Sequence, residues 1–369
     1  MKTFTQFLPP AWTMQVLQWF RNGLYKLRMH MVPGGIALFE IVHDFWYARA
    51  LGVAAELDIA GLLKEKPLHI DQLAALTQTH SPSLYRLMRT LASRGVFRET
   101  EKNVFHLTFL ARALLDKEDG MKYLIQSHTS VTQLQNFGEL LHCVRTGENA
   151  YVKRFNTHAF DFMTANPAEA AVFNKGMSNA SRLFAKALLS AYSFRNFKKI
   201  VDIGGGNGVL LSSILSRYPS ATGILFDLPH VIENVDTSLH DGDTISLRLQ
   251  LSVGDFFENV PSGADLYILK NVLHDWDDSH CILLLSKICS VIENGSRLLV
   301  IESIIPEGNT PSFGKMMDLL MLTGTQGGRE RTLAEYKKLF AEAQLHCRRV
   351  VHTVAPFSVM EAIKKEMPG

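Results

Sequence analysis

The chain has 369 residues, which predicts two domains at about 100–200 residues per domain. Hydrophobic residues make up 47% and charged residues 20% of it, which excludes disordered, collagen-like and low-complexity proteins. The net charge is only +2, so no overall charge drives binding to nucleic acid or to a membrane. The four cysteines form no C-x-x-C pair, and no His/Cys cluster has zinc-ligand spacing, so we expect a reducing compartment.

The N-terminal region indicates a cytoplasmic protein with an amphipathic helix. No apolar run reaches the ~20 residues that span a bilayer, and we identify no signal peptide. Residues 11–30 carry apolar side chains at helical spacing, with basic residues on the other face. Such a helix suits either a membrane surface or a partner subunit, and we favour the partner. The Pro-Gly-Gly at residues 33–35 ends it.

A winged-helix layout is predicted for residues 41–115. Short helices with tight turns, the last at residues 80–95, precede two strands within residues 96–107. The helix at residues 80–95 could bind DNA as a recognition helix, but its basic residues are only Arg86, Arg89 and Arg94. A DNA reader usually carries a denser basic face, so we favour a packing or dimerisation module. Residues 120–195 indicate further helices.

From Lys198 onward, short apolar strands alternate with helical stretches. The predicted strands are residues 200–203, 224–226, 249–253, 266–269 and 297–301, followed by a pair at 348–355 and 357–363. This order is typical of a mostly parallel, doubly wound sheet. The predicted fold class is therefore α/β, with a Rossmann-like sheet that ends in an antiparallel C-terminal hairpin, plus a mainly α-helical winged-helix N-terminal domain.

A glycine-rich loop, Asp-Ile-Gly-Gly-Gly-Asn-Gly at residues 202–208, follows the first strand of that sheet. Glycines here let the backbone turn sharply and approach a ligand. No Gly-Lys-Ser/Thr follows, which excludes a Walker motif. An acid followed by G-x-G-x-G is typical of S-adenosylmethionine sites, which makes Gly204 and Gly206 candidate binding residues. A turn without a ligand is the alternative.

Acidic and aromatic residues follow the next two strands, at the edge where open α/β sheets bind ligands. Asp227 can accept hydrogen bonds from ribose hydroxyls, and it can also cap a helix. Asp255 can accept from an adenine amino group, and Phe256 can cover a face of the base. Core packing is the alternative for Phe256, and we prefer it for Phe257.

Ionisable residues follow the remaining strands at the same edge. Lys270 and His274 come after the fourth strand, and Glu302 comes after the fifth. Glu330 lies in Gly-Gly-Arg-Glu-Arg-Thr at residues 327–332. A lone histidine is more often structural, but a carboxylate beside an imidazole fixes its tautomer and raises its basicity.

Five motifs in this order resemble the class I S-adenosylmethionine-dependent O-methyltransferases. They are residues 202–208, 226–231 (Phe-Asp-Leu-Pro-His-Val), 254–257 (Gly-Asp-Phe-Phe), 273–276 (Leu-His-Asp-Trp) and 327–332. The chain is most similar to the branch of plant caffeate and flavonoid O-methyltransferases, animal hydroxyindole O-methyltransferase, and bacterial enzymes of pigment and antibiotic biosynthesis. The resemblance extends over about residues 41–363.

The resemblance implies that His274 is the catalytic base, flanked by the acids Glu302 and Glu330. It implies cofactor contacts at Gly204, Gly206, Asp227, Asp255, Phe256 and Lys270. It also implies a homodimer through the winged-helix domain, with no nucleic acid bound and no metal required. Three regions follow: an N-terminal helix and winged-helix dimerisation domain at 1–115, a helical linker and substrate-lining region at 116–195, and an S-adenosylmethionine-binding methyltransferase domain at 196–369.

The acceptor is expected to be a small aromatic or enolic hydroxyl in an apolar pocket. An ordinary imidazole has a pKa near 6.5 and a phenol near 10, so the proton transfer is uphill by about 5 kcal/mol, and an aliphatic alcohol would be harder. The candidate lining residues, each of which could instead pack in the core, are Phe160, Phe173, Met177, Met317, Leu320 and Met321.

Two other functions stay open: a cofactor-binding relative that catalyses hydroxylation or decarboxylation, and a winged-helix DNA-binding regulator.

Overall fold

The computed structural model describes residues 11–233, 235 and 245–365. The chain divides into two compact units. A helical unit contains residues 20–138 and 160–183, and a sheet unit contains residues 139–159 and the described residues from 184 onward, together with those before residue 20. The division into three regions at residues 115 and 195 stays a prediction.

Two long helices begin the described chain: α1 (Ala11–His30), as predicted, and α2 (Gly34–Glu56). The expectation of only short helices from residue 41 is wrong, because α2 continues through this position for 23 residues in all. Apolar side chains lie around the whole of α2 and not on one stripe. The 3.6-residue periodicity that marks a long amphipathic helix is therefore missing.

The predicted winged-helix layout is confirmed. Helices α3 (Ile59–Leu62), α4 (Ile70–Thr77) and α5 (Ser81–Ser93) combine with strands β1 (Leu68–His69), β2 (Phe97–Glu101) and β3 (Val104–Leu107). The strands form an antiparallel sheet in the order β1-β3-β2. A capping box of His69 and Gln72 begins α4, and Met88, Leu91 and Phe105 pack with no exposed surface.

Residues 122–191 are mostly helical, as predicted. The helices are α6 (Lys122–His128), α7 (Val131–Gly138), α8 (Leu140–Thr146), α9 (Ala150–Phe155), α10 (Ala159–Ala165) and α11 (Pro167–Ala191). The Asn149 side chain accepts a hydrogen bond from the Val152 amide and so caps α9. Short loops separate most of these helices.

Seven strands form one sheet in the sheet unit. They are β4 (Lys199–Ile203), β5 (Thr222–Asp227), β6 (Leu249–Val253), β7 (Leu266–Lys270), β8 (Arg297–Glu302), β9 (Leu345–His352) and β10 (Ser358–Lys364). The order is β6-β5-β4-β7-β8-β10-β9, with β4 to β8 parallel and β10 antiparallel to both β8 and β9. The predicted fold class is confirmed, although β9 begins three residues before its predicted start.

Helices cover both faces of this sheet, among them α12 (Val209–Arg217), α14 (Asp278–Val291) and α16 (Leu333–Glu342). The sheet unit also contains α13 (Pro229–Ile232) and α15 (Phe313–Gly324). Neighbouring residues of β4 enter different cores: Val201 packs with α14 and α16, whereas Ile200 packs with α12. The central strands are thus buried on both faces, which explains their continuous apolar runs.

Among the residues that the structure describes, no helix combines the length and the apolar character that crossing a bilayer requires.

Candidate active site

The glycine-rich loop joins β4 to α12 in a backbone conformation that favours glycine. Gly204, Gly206 and Gly208 have φ values of +65°, +57° and +70°, which L-amino acids with a side chain rarely adopt. A Cβ at Gly205 would lie 2.4 Å from Leu225 Cδ1. A Cβ at Gly206 would meet no described heavy atom within 4 Å, so the backbone there is open to a ligand.

Asp227 ends β5 and faces this loop. One of its carboxylate oxygens accepts from the Gly206 amide at 2.9 Å, and the other accepts from the Leu228 amide at 2.8 Å. The residue that caps α13 is Leu228, with no side-chain hydrogen bond, so the alternative role of Asp227 as that helix cap is wrong. Each oxygen keeps a second lone pair for a hydroxyl donor.

Asp255 and Phe256 lie beyond the carboxyl end of β6. The Asp255 side chain accepts a hydrogen bond from the Phe257 amide at 2.8 Å. The Phe256 ring is half-buried, and a Cβ at Gly204 would lie 3.6 Å from its Cε1 atom. Phe256 therefore borders the glycine-rich loop. Both phenylalanines pack against the core, and Phe257 contacts Trp276 with ring centroids 4.7 Å apart.

Lys270 ends β7, the strand next to β4. Burial lowers the pKa of its ammonium group, while the negative charges of Asp202 and Glu302 oppose that effect. Asp202 is buried in β4, and burial raises its pKa to about 7 against the opposing charge of Lys270. A chain of ionisable groups thus links the start of the glycine-rich loop to the end of β8.

His274 lies on a tight turn directly after β7. Asn271 starts this turn in the left-handed region, with φ of +53°, and a short 3₁₀ helix follows over Leu273–Asp275. The imidazole is buried, with its side chain 9% exposed. Its Nδ1 atom lies 3.0 Å from Glu330 Oε1 and 3.7 Å from Glu302 Oε2. Its Nε2 atom lies 3.6 Å from Asp275 Oδ1.

Glu302 fixes the turn that carries His274. Its Oε1 atom accepts from the Val272 and Leu273 amides, both at 2.9 Å. These bonds hold the backbone just before the imidazole, and they leave Oε2 directed at the ring. Sequence position at the end of β8 is therefore sufficient to bring this acid to His274.

Glu330 reaches the same imidazole from a distant loop. Its amide donates to Asp318 Oδ1 on α15 at 2.9 Å. The neighbouring Arg331 forms a parallel bridge with Ile304, just beyond β8. A capping box of Thr332 and Glu335 then begins α16. The segment is thus held on both sides of Glu330.

Arg331 is a buried structural residue that the sequence analysis did not identify. Its guanidinium has no exposed surface and donates to the Leu273 carbonyl at 2.9 Å, to the Trp276 carbonyl at 2.7 Å and to Asp278 at 2.8 Å. It therefore ties the His274 turn to the Glu330 loop. The sequence indicates Arg331 through its position in the motif at 327–332, where two arginines flank Glu330.

The charges around His274 determine its pKa. Burial alone lowers the pKa of the imidazole, but the charges of Glu302, Asp275 and Glu330 outweigh it and raise that pKa to about 10. Burial raises the pKa of Glu302 to about 7, although the His274 charge opposes this. The site therefore favours a charged imidazole next to carboxylates more than an ordinary histidine does.

The six predicted acceptor-pocket residues lie in both units. Met317, Leu320 and Met321 are on α15, the helix whose Asp318 binds the Glu330 amide. Met321 is buried, and the other two are half-buried. In the helical unit, Phe160 on α10 is 61% exposed, and the half-buried residues Phe173 and Met177 are on α11. Their contact with an acceptor stays a prediction.

Comparison with known families matches most of the chain. Residues 137–345 match the O-methyltransferase domain, and residues 39–117 match the O-methyltransferase dimerisation domain. The phenazine O-methyltransferase PhzM of Lysobacter antibioticus is 39% identical over 336 residues, which cover 91% of this chain and 98% of that protein.

Solved structures show the same similarity. Human N-acetylserotonin methyltransferase in complex with S-adenosylmethionine is 26% identical, with a TM-score of 0.82 over 91% of this chain and 99% of that one. An O-methyltransferase from neocarzinostatin biosynthesis, in complex with S-adenosylmethionine and 2-hydroxy-5-methyl naphthoic acid, is 32% identical, with a TM-score of 0.72 over 86% and 96% of the two chains. The chain belongs to the O-methyltransferase family.

Proposed function

We propose that this enzyme transfers a methyl group from S-adenosylmethionine to the hydroxyl of a small aromatic or enolic acceptor, with His274 as general base. The observation that carries the proposal is the buried contact of His274 Nδ1 with Glu330 at 3.0 Å and with Glu302 at 3.7 Å. Carboxylates at Nδ1 hold the proton there, which leaves Nε2 as the nitrogen that accepts a proton. Family membership supports methyl transfer over hydroxylation, decarboxylation or gene regulation.

S-adenosylmethionine is the cofactor of this family, and when bound it supplies an electrophilic methyl group on a positively charged sulfur. The open backbone at Gly206 and the free lone pairs of Asp227 fit a nucleoside at the carboxyl edge of the sheet. We assign the cofactor contacts to Gly204, Gly206, Asp227, Asp255, Phe256 and Lys270. In this proposal Asp227, at the end of β5, binds the ribose hydroxyls, and the Phe256 ring covers the adenine.

The raised basicity of His274 changes the energetics of proton removal. A phenol and this imidazole both have a pKa of about 10, so the transfer that costs about 5 kcal/mol with an ordinary histidine becomes nearly balanced. With the cofactor bound, its carbon–sulfur bond would break as the acceptor oxygen takes the methyl carbon, which leaves a neutral thioether. His274 Nε2 would accept the hydroxyl proton. The new imidazolium charge is then stabilised by Glu302 and Glu330.

The acceptor is proposed to bind against α15, the helix next to the Glu330 loop. Met317, Leu320 and Met321 offer an apolar, adaptable surface. The neocarzinostatin relative binds a hydroxynaphthoic acid, and the Lysobacter relative is a phenazine O-methyltransferase. Fused aromatic hydroxyl compounds are therefore the first acceptors to test.

The enzyme is proposed to act as a homodimer. The matched dimerisation domain supports this assembly. Large apolar side chains on α2 are also exposed in the helical unit, among them Leu38 and Phe39, each at 66%, and Val42 and Trp46, each at 62%. A second copy of the chain would bury such a surface.

The test is transfer of a labelled methyl group from S-adenosylmethionine to a panel of hydroxylated phenazines, naphthoates and simple phenols. His274→Ala should remove turnover while the affinity for S-adenosylmethionine, measured by calorimetry, stays unchanged. His280→Ala is the matched control, because this histidine is on the neighbouring α14 and its imidazole contacts Asp277, a carboxylate outside the His274 cluster. Retained turnover in His274→Ala would refute the role of this residue as base.

A further inference from the structure

Three side chains from different elements place metal-binding atoms next to one another. The Nδ1 atom of His274 and one carboxylate oxygen each of Glu302 and Glu330 lie within 4.8 Å of one another, and all three residues are buried. One imidazole with two carboxylates is a set of ligands that zinc accepts in proteins. The group coincides with the proposed base and its acids.

Two buried oxygen atoms of this cluster have no hydrogen-bond donor. Within the described part of the chain, neither Oε2 of Glu302 nor Oε2 of Glu330 accepts a hydrogen bond, and neither residue is more than 2% exposed. Buried carboxylate oxygens are normally paired, because an unpaired one loses its hydration without compensation. Both oxygens therefore have lone pairs available to a positively charged ligand.

The spacing of the cluster fits a four-coordinate zinc ion. Zinc bonds of about 2.0–2.2 Å place the ligand atoms of a tetrahedron roughly 3.3–3.6 Å apart. His274 Nδ1 lies 3.0 Å from Glu330 Oε1 and 3.7 Å from Glu302 Oε2, which brackets this spacing, and the three ligand atoms lie within 4.8 Å of one another. Two carboxylates also neutralise a divalent charge, which makes its burial tolerable.

We propose that His274, Glu302 and Glu330 form an inhibitory site for Zn²⁺. The inhibition rests on the proposed function, in which His274 Nε2 accepts the proton of the acceptor. A metal bound at Nδ1 leaves the ring proton on Nε2, so that nitrogen cannot accept another. The same metal withdraws both carboxylates from the imidazole. Mg²⁺, which prefers an octahedral shell of oxygen atoms, does not replace Zn²⁺ here.

The binding test uses the whole protein after dialysis against EDTA, with Zn²⁺ titrated against a chromophoric chelator. We expect one site per chain at the cluster, with Glu330→Gln and His274→Ala each weakening it about tenfold or more. His280→Ala serves as the matched control, since its imidazole contacts Asp277 outside the cluster. Equal affinity in wild type and Glu330→Gln, or a loss confined to His280→Ala, overturns the site.

A second binding measurement needs no variant. Co²⁺ added to the wild-type protein should give the strong visible absorption of a four-coordinate ion, and Zn²⁺ should displace it. Weak absorption typical of a six-coordinate ion overturns the proposed geometry. Thermal melts establish that each variant is folded before its affinity is compared with that of the wild type.

The inhibition test measures methyl transfer with and without Zn²⁺. We expect kcat to fall about tenfold or more, full recovery after EDTA, and no effect of Mg²⁺ at the same concentration. Zinc binding at the cluster with undiminished turnover overturns the inhibitory role. An inactive metal-free wild-type protein counts against the proposed function, whereas the two binding measurements still decide whether the metal site exists.

Discussion

Replacing Glu302 by Gln tests whether the acid cluster sets the basicity of His274. The amide retains the size of the side chain and an oxygen that accepts from the Val272 and Leu273 amides. It removes a negative charge that lies 3.7 Å from His274 Nδ1. At an effective dielectric constant of about 20, that charge contributes roughly 4.5 kcal/mol, or about 3 pH units in the pKa of the imidazole.

The sign of the effect follows from the protonation state that catalysis needs. With a pKa of about 10, the imidazole of the wild type becomes neutral only as the pH rises, so the rate should increase through the alkaline range. The variant has a lower pKa. We therefore expect the rising limb of its pH–rate profile to move to lower pH by about 3 units, because Glu302, with a pKa of about 7, is ionised throughout the alkaline range in the wild type. Its plateau should also be lower, because a weaker base removes the proton less effectively.

The assay is kcat against pH at saturating S-adenosylmethionine and acceptor. Two acceptors whose hydroxyl pKa values differ separate the titration of the enzyme from that of the acceptor. Asp277→Asn, which removes a carboxylate outside the cluster, should leave the rising limb of the pH–rate profile at the wild-type pH. A folded Glu302→Gln protein whose limb stays at the wild-type pH, or moves to higher pH, would show that the electrostatic explanation is wrong.

Three further substitutions test other parts of the structure. Arg331→Met removes the donors to the Leu273 and Trp276 carbonyls and should lower the free energy of unfolding by about 3 kcal/mol in urea denaturation; a loss under about 1 kcal/mol would contradict its role. Asp227→Ala should weaken S-adenosylmethionine binding roughly 10- to 100-fold by calorimetry, the value of a lost charged hydrogen bond, and unchanged affinity would contradict the ribose assignment. Phe39→Lys places a charge on an exposed apolar surface and should shift dimer to monomer in light scattering; a persistent dimer at low concentration would exclude this surface.

The sheet and half of the charged cluster were predictable because they depend on local sequence. Apolar runs mark the central strands, and parallel strands end at one edge, so Glu302 was expected near His274. The strand β6 was also predicted with its observed bounds, although it is largely exposed at the edge of the sheet. The start of β9 was predicted too late, since alternating exposed residues begin the strand.

Other features depend on contacts between distant residues, which no local pattern reports. The all-round apolar character of α2 conceals a 23-residue helix, because periodicity is the signal from which helix length is judged. Glu330 has no strand of its own to bring it to the site. The amide bond to Asp318, the bridge at Ile304 and the buried Arg331 place its loop beside the imidazole. The motif at 327–332 named this acid as a candidate, but only the resemblance placed it at His274.

The same buried cluster accounts for both the proposed catalysis and its proposed inhibition. Two carboxylates next to one imidazole nitrogen stabilise the charge that proton removal creates, and they make that nitrogen a strong site for any small cation. A zinc ion therefore competes with the proton that the carboxylates hold on Nδ1, and not directly with the proton that Nε2 accepts. Strengthening the base by adding acids near Nδ1 necessarily increases the affinity for a divalent metal, so a site of this design gains basicity and metal sensitivity together.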